Sequence, residues 1–273
     1  MSQKIKLTEG KITVPSIKKG RKISAVTAYD FTFAEIVDEA GVDIVLVGDS
    51  LGSVIKGEKN TLSVTLDEVI YHTKAVSRGL KRSLLLADMP FMSYQISVEK
   101  GVENCGRALS EGFAEGVKIE GGISVASLIE RLSLIDIPVM GHVGLTPQSV
   151  HRMGGYKVQG KENRKKIIDD ARAVQDSGAF SVVLEGIPSD LAEEITDRLK
   201  IPTIGIGAGS KCDGQILVLY DLLGLSGGTP PKFVRQFSNL REASTKALKE
   251  YVEAVKNENF PDSGESYTLR KVQ

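Results

Sequence analysis

The chain has 273 residues, 41% of them hydrophobic, with 35 basic side chains against 35 acidic ones. That length supports a full hydrophobic core, as one large barrel or two smaller domains, and a net charge of zero gives no electrostatic reason to expect nucleic acid or an anionic membrane as partner. No apolar stretch approaches the ~18 residues of a membrane span, the basic N-terminus lacks the apolar core of a signal peptide, and Cys105 and Cys212 make neither a disulfide framework nor a zinc spacing; a soluble cytoplasmic protein with reduced thiols is expected.

Residues 1–20 sit outside any repeating pattern, as an N-terminal extension. From Ile23 onward one unit recurs: a short run of apolar, often β-branched residues, a turn, then an amphipathic segment. The predicted strands are 23–28, 43–48, 83–88, 116–120, 137–142, 180–185, 201–207 and 215–220. Several of the intervening helices carry start and stop signals. Thr65-Leu66-Asp67-Glu68 has the form of a capping box, with Gly79 after the same segment. Ser97 precedes a pattern that puts Val98, Val102, Cys105 and Leu109 on one face, and Ile167, Ile168, Ala171 and Val174 do the same before Gly178. The tail, about 257–273, is polar, and no linker divides the chain, so a single barrel domain over 1–273 is expected.

Strands apolar on both faces, alternating with helices, argue for a parallel sheet covered by helices. Eight of them in this length predict a (β/α)8 TIM barrel, of the phosphoenolpyruvate/pyruvate type. A doubly wound sheet with a dinucleotide site would need G-x-G-x-x-G after the first strand, where the chain reads AYDFTFAE.

The strands end in acids. Asp49 closes the second, Asp88 the third, Glu120 the fourth and Glu185 the sixth, and Asp30 follows the first. Any one of these could be a helix N-cap in a βα loop. Several on one rim would crowd negative charge around one cavity and raise one another's pKa unless a cation neutralises them. A hard divalent ion with oxygen ligands resolves this, and magnesium suits better than zinc because the rim offers few His or Cys ligands.

In VKIEGG, Lys118 and Glu120 share a face and Val117 and Ile119 take the other. With the apolar pair packed against helices, Lys118 faces the barrel axis, where a lysine is costly unless paired with Asp88, Glu120 or a bound anion. Glu185 lies on the sixth strand, apart from the others and beside apolar residues. Such a setting raises a carboxyl pKa and suits a base that removes a proton from carbon. Together these parts predict metal-assisted enolisation of a 2-oxo acid: the ion polarises the carbonyl, a base takes the neighbouring proton, and a carbon–carbon bond is made or broken.

At these same residues the sequence resembles the ketopantoate hydroxymethyltransferase family. The matching stretches are VTAYD (26–30), VGDSLG (47–52), TLSVTLDEVIYHTKAV (61–76), ADMPFMSY (87–94), VKIEGG (117–122), GHVGLTPQ (141–148), LEGIP (184–188), IPTIGIGAGSKCDGQILVLYDLLGL (201–225) and KFVRQF (232–237). Ser53 departs from the Met usual there. The resemblance implies that Asp49, Asp88 and Glu120 are the magnesium-associated acids and that Asp49, Ser50, Asp88 and Lys118 hold the 2-oxo acid, with Glu185 as proton acceptor. It further implies 3-methyl-2-oxobutanoate as substrate and 5,10-methylenetetrahydrofolate as one-carbon donor. The product would be 2-dehydropantoate, in pantothenate and coenzyme A biosynthesis, and the enzyme a homodecamer.

Other features are weighed beside this reading. GIGAGS (205–210) is read as a tight turn near the site, with phosphate binding the alternative. His142 ends the fifth strand, either as a donor near the metal's waters or as a satisfied core histidine. His72 lies in a helix, with a structural or subunit-interface role, and His151 opens a Gly-rich stretch that is either a mobile lid or a surface loop. A metal-dependent 2-oxo acid lyase or mutase of a related barrel family is the competing reading. It would need a loop cysteine, for which Cys212 is the only candidate since Cys105 falls in a helix. A non-enzymatic scaffold would leave the acids without purpose.

Overall fold

The computed structural model describes residues 10–267. The outermost parts of the expected N-terminal extension (1–9) and tail (268–273) lie outside the described residues. These residues divide into two compact units, one ending at Leu219 and one starting at Tyr220.

The first unit is a closed barrel of eight parallel strands in chain order: β1 Ile23–Thr27, β2 Ile44–Val47, β3 Leu84–Asp88, β4 Gly116–Glu120, β5 Val139–Gly144, β6 Ser181–Glu185, β7 Thr203–Ile206 and β8 Gly214–Leu217. The helices are α1 Phe31–Glu39, α2 Leu51–Val54, α3 Leu66–Ser77, α4 Val98–Ser110, α5 Ala126–Ser133, α6 Val150–Met153, α7 Arg164–Asp176, α8 Ser189–Arg198, α9 Leu219–Leu222 and α10 Leu240–Lys256. The predicted start signals act as read. Thr65 and Glu68 form the capping box of α3, and Ser97 caps α4 through Lys100 N. The buried stripe of α4 is Gly101, Asn104, Cys105 and Ala108, so only Cys105 of the predicted four lies in it.

Two strands differ from the sequence reading. The fifth starts after Pro138, which has no N–H to offer the ladder, and runs on to Gly144. The eighth stops at Leu217, because the Leu219 amide donates to Thr27 Oγ1 at 3.1 Å and opens α9. Close helix packing depends on a missing side chain: a Cβ on Gly141 would lie 2.3 Å from Val174 Cγ1, so α7 lies on β5 at a distance only glycine permits.

The barrel interior is layered. Ile23, Ala25, Ile44, Leu46, Leu84, Leu86, Met140, Val183, Ile204 and Ile216 form one buried apolar cluster. Residues two apart in a strand share a face, so Asp88 continues the inward row of Leu84 and Leu86, His142 that of Met140, and Glu185 that of Val183. Gly116 faces the interior beside Leu86, which puts Lys118 and Glu120 there too. The N-terminal half of the interior is thus apolar and the C-terminal half charged, the face on which barrels build sites.

The described part of the N-terminal extension packs onto the barrel. Ile12 and Ile17, with Val14 against them, belong to the interior cluster. The segment is tied down by Ile12 N to Arg82 O at 2.7 Å, by Lys11 Nζ to Ser83 O and Glu115 at 2.7 Å each, and by Lys19 to Thr196 O and Leu199 O. It is irregular chain outside any strand pattern, and its apolar side chains stop the barrel floor.

The second unit carries α10, capped by Asn239 through Glu242 N, and its chain is joined by Phe237 N to Leu222 O and Leu240 N to Leu223 O. Tyr251 meets Phe260 edge to face at 5.5 Å between ring centroids.

Candidate active site

Three of the strand-end acids meet. Asp49, Asp88 and Glu120 are all buried, and one oxygen of each lies within 4.8 Å of the others. Asp88 and Glu120 are the last residues of β3 and β4, and Asp49 is the second residue past β2, reached through Gly48. Lys118 Nζ lies 2.5 Å from Asp88 Oδ1 and 3.6 Å from Glu120 Oε1. His142 bridges to the other side, with Nδ1 3.6 Å from Glu120 Oε1 and Nε2 3.2 Å from Glu185 Oε2; neither contact is aligned as a hydrogen bond. Glu185 therefore stands apart from the acid trio, as its strand requires, joined to it through the imidazole.

The charges are unevenly balanced. Burial pushes the Asp49 carboxyl well above its usual range, and the negative charges of Asp88 and Glu120 add to this. Burial also raises Asp88, against the pull of Lys118. Glu120 is lowered: burial opposes this, but Lys118 and His142 outweigh it. Burial disfavours charge on Lys118 too, and Asp88, Glu120 and Asp49 overcome it and raise its pKa. Burial and Lys118 act against a charged His142, yet Glu120 and Glu185 push it up to about 9. Three carboxylates thus face one ammonium and one imidazolium, with Asp49 the acid left short of positive charge.

These residues fit a hard divalent ion. The donors are carboxylate oxygens converging from three strand ends, and Glu120 Oε1 is buried with no hydrogen-bond partner. A cation there would favour the charged form of Asp49 against the push of burial and of its acidic neighbours.

The remaining predicted residues fall into place around this centre. Ser50 is the N-cap residue of α2, with Oγ 2.8 Å from Tyr29 Oη. Asp30 is a helix cap, accepting Phe33 N at 2.9 Å, and is no member of the acid trio. Ser53 is exposed in α2. His72 Nδ1 lies 2.6 Å from Tyr29 O, a structural contact. His151 is exposed in α6. In the stretch after it, Gln159 N donates to Gly186 O at 2.8 Å, next to Glu185. GIGAGS forms a turn with positive φ at Gly207 and Gly209, closed by Gln215 Nε2 donating to Gly209 O at 2.9 Å.

Two residues of the site carry no chemical signal in the sequence. Gln148, in the short turn after β5, donates through Nε2 to Asp49 Oδ2 at 3.3 Å and through its backbone N to Glu120 Oε2 at 3.1 Å. Tyr94, between β3 and α4, places its hydroxyl 3.0 Å from both Glu120 O and Gln148 Oε1. Both lie inside matched stretches, yet a glutamine and a tyrosine in loops announce no role by spacing. Two cavities open beside them. One of about 450 Å³ reaches Glu120 and Gln148, and one of about 680 Å³ reaches His142; Arg152, Gly121, Ser124 and Thr146 line both.

A model of the ketopantoate hydroxymethyltransferase family matches residues 11–263. The chain belongs to that family. It is 56% identical over 262 residues to the 3-methyl-2-oxobutanoate hydroxymethyltransferase of Pelobacter propionicus, covering 94% of this chain and 97% of the relative. It is 51% identical over 255 residues to the enzyme of that name from Clostridioides difficile, covering 93% of each. The chain is accordingly an enzyme of pantothenate biosynthesis, a 3-methyl-2-oxobutanoate hydroxymethyltransferase by activity, and the lyase or mutase reading gives way to this. Among solved structures it superposes on phosphonopyruvate hydrolase with a TM-score of 0.61 at 12% identity, covering 92% of this chain and 91% of that one. It also superposes on 2,3-dimethylmalate lyase, a PEP mutase/isocitrate lyase superfamily member, with a TM-score of 0.58 at 16% identity, covering 93% and 87%. At such identities the likeness is one of fold, and it agrees with the (β/α)8 barrel. None of the described helices is long and apolar enough to cross a membrane.

Proposed function

We propose that hydroxymethyl transfer takes place at the mouth of this barrel, with magnesium associated with Asp49, Asp88 and Glu120 and with 5,10-methylenetetrahydrofolate as the one-carbon donor. The observation that carries this reading is the convergence of the three buried carboxylates around Lys118, with Glu185 set apart on the far side of His142. The cation, when bound, polarises the substrate's 2-oxo group and offsets the charge that builds up as the neighbouring carbon loses its proton.

The chain's residues do the rest. Lys118, held by Asp88, together with Ser50 and Asp49 binds the carboxylate and 2-oxo end of 3-methyl-2-oxobutanoate. Glu185 accepts the methine proton, and His142, 3.2 Å from its Oε2, steadies the glutamate through the transfer. The two adjoining cavities, one reaching Glu120 and both lined by Arg152, leave room for a second, anionic substrate beside the acids. The enzyme's setting is cytoplasmic and homodecameric on this reading, as the family resemblance implies.

The test is a proton NMR time course in D2O with protein, magnesium, 3-methyl-2-oxobutanoate and methylenetetrahydrofolate. Loss of the methine signal together with growth of a hydroxymethyl signal is the expected result. Loss of the methine alone would keep the enolising site and discard this donor. No change in folded, metal-loaded protein would overturn the assignment of the site.

A further inference from the structure

We propose that Gln148 is a positioning residue that sets the carboxylates of Asp49 and Glu120 in the arrangement a cation needs. The inference rests on the reading of Asp49, Asp88 and Glu120 as the cation's acids and adds the residue that aligns them.

Gln148 is buried, and both ends of its amide and its backbone N are engaged. Nε2 donates to Asp49 Oδ2 at 3.3 Å and to Met89 O at 2.9 Å, the carbonyl just past Asp88. The backbone N donates to Glu120 Oε2 at 3.1 Å. Oε1 accepts from Tyr94 Oη and from Gln95 Nε2, at 3.0 Å each. One residue therefore touches the chain at all three acids, although they come from β2, β3 and β4 and it comes from the turn after β5.

The orientation of the amide is dictated by its partners. Asp49 Oδ2 and Met89 O both need a donor, so a flipped amide would set acceptor against acceptor there, whereas the Tyr94 hydroxyl and the Gln95 amide can adapt to either end. The direction matters for the acids. Because Gln148 takes Oε2 of Glu120, the other oxygen, Oε1, is left buried and without a hydrogen-bond partner. At Asp49 it takes Oδ2, while Lys118 lies against Asp88. Hydrogen bonds to charged acceptors are stronger and more directional than neutral ones, so the amide limits how far each carboxylate can rotate. A residue that merely filled space between loops would not need opposite polarity at its two ends.

The experiment titrates manganese alone into the full-length protein and reads free ion by electron paramagnetic resonance, with no substrate present. Gln148→Met keeps the volume and the backbone N–H and removes only the amide. A dissociation constant for manganese at least tenfold weaker than in the parent is expected, with KM for the 2-oxo acid raised and the circular dichroism spectrum unchanged. Tyr94→Phe removes one donor that holds the amide, and a smaller loss in the same direction, about threefold, is expected. A folded Gln148→Met protein with the parent's manganese affinity would overturn the inference, since a purely structural role would lower thermal stability alone. Should Gln148→Met fail to fold, Tyr94→Phe decides, and unchanged affinity in that variant overturns the inference. Parent protein that binds no manganese would instead sink the cation reading of the three acids, a different failure from the one specific to Gln148.

Discussion

Glu185 and the acid trio divide the work by distance. The trio shares one small volume with Lys118, whereas Glu185 reaches it only through His142. Removing the Glu185 charge while keeping its shape should therefore separate binding from turnover. Glu185→Gln is expected to retain magnesium and 2-oxo acid binding by calorimetry while kcat falls by about 10²–10⁴, the usual contribution of a positioned base; a loss of binding in that variant would place Glu185 with the ligands. The charged side chains of this site were readable from the sequence because a period of two and a strand end leave them only one place to point. Lys118 and Glu120 could not both pack against helices. Gln148 was not readable, since its contact with Asp49 spans 99 residues and depends on how two loops meet.

At the scale of elements, the floor of the barrel is held by acids of another kind, Asp43 buried and Asp38 half-buried. Asp43, at the start of β2, accepts from Ser24 N and Ser24 Oγ at 3.0 Å each and pairs with Arg21 at 2.7 Å and Arg82 at 3.0 Å. Burial alone would raise its carboxyl; these donors outweigh it and hold it below the usual 3.8. Asp38 is lowered likewise against its burial, by the amides of Ser83, Lys81 and Arg82 and the Ser83 hydroxyl. A depressed folded-state pKa stabilises the fold above the unfolded value of 3.8, and that stability is lost as pH falls below it through the folded value. Melting temperature should thus drop steeply below about pH 4, and Asp43→Asn should lower it at pH 7 while flattening the acid limb, as thermal melts across pH would record. Gly141 gives a second test of element packing. Gly141→Ala drives a methyl into Val174 of α7 and should cost about 1–3 kcal/mol in urea unfolding, the range of an overpacked core. Strand positions were legible to within a few residues because apolar runs mark them, although Pro138 falls inside the run read as the fifth strand. The end of β8 was not, because Leu219 looks like one more apolar strand residue until the Thr27 hydroxyl takes its amide. The apolar residues at 12, 14 and 17 have no period at all, so only the closed barrel reveals what they cover.

For the whole molecule, a ligand that binds only the folded state stabilises it by mass action. Magnesium at about 100 times its dissociation constant would add about 2.7 kcal/mol. Melts with saturating magnesium should therefore shift upward by several degrees relative to protein in EDTA, and Asp49→Asn should abolish most of that shift. An equal shift in Asp49→Asn would move the ion away from this acid.

The stopper on the barrel floor has a consequence for synthesis. Ile12 and Ile17 are synthesised before any strand of the barrel, yet the cluster they join includes Ile204 of β7 and Ile216 of β8. Their neighbour Ile23 in β1 likewise finds its partner, Gly214, only when β8 has been made. This stretch of the nascent chain therefore waits for its full set of partners until some two hundred residues have followed it. A segment made before the first strand is thus among the last to reach its native place, and any chaperone that attends this protein during translation would meet it there.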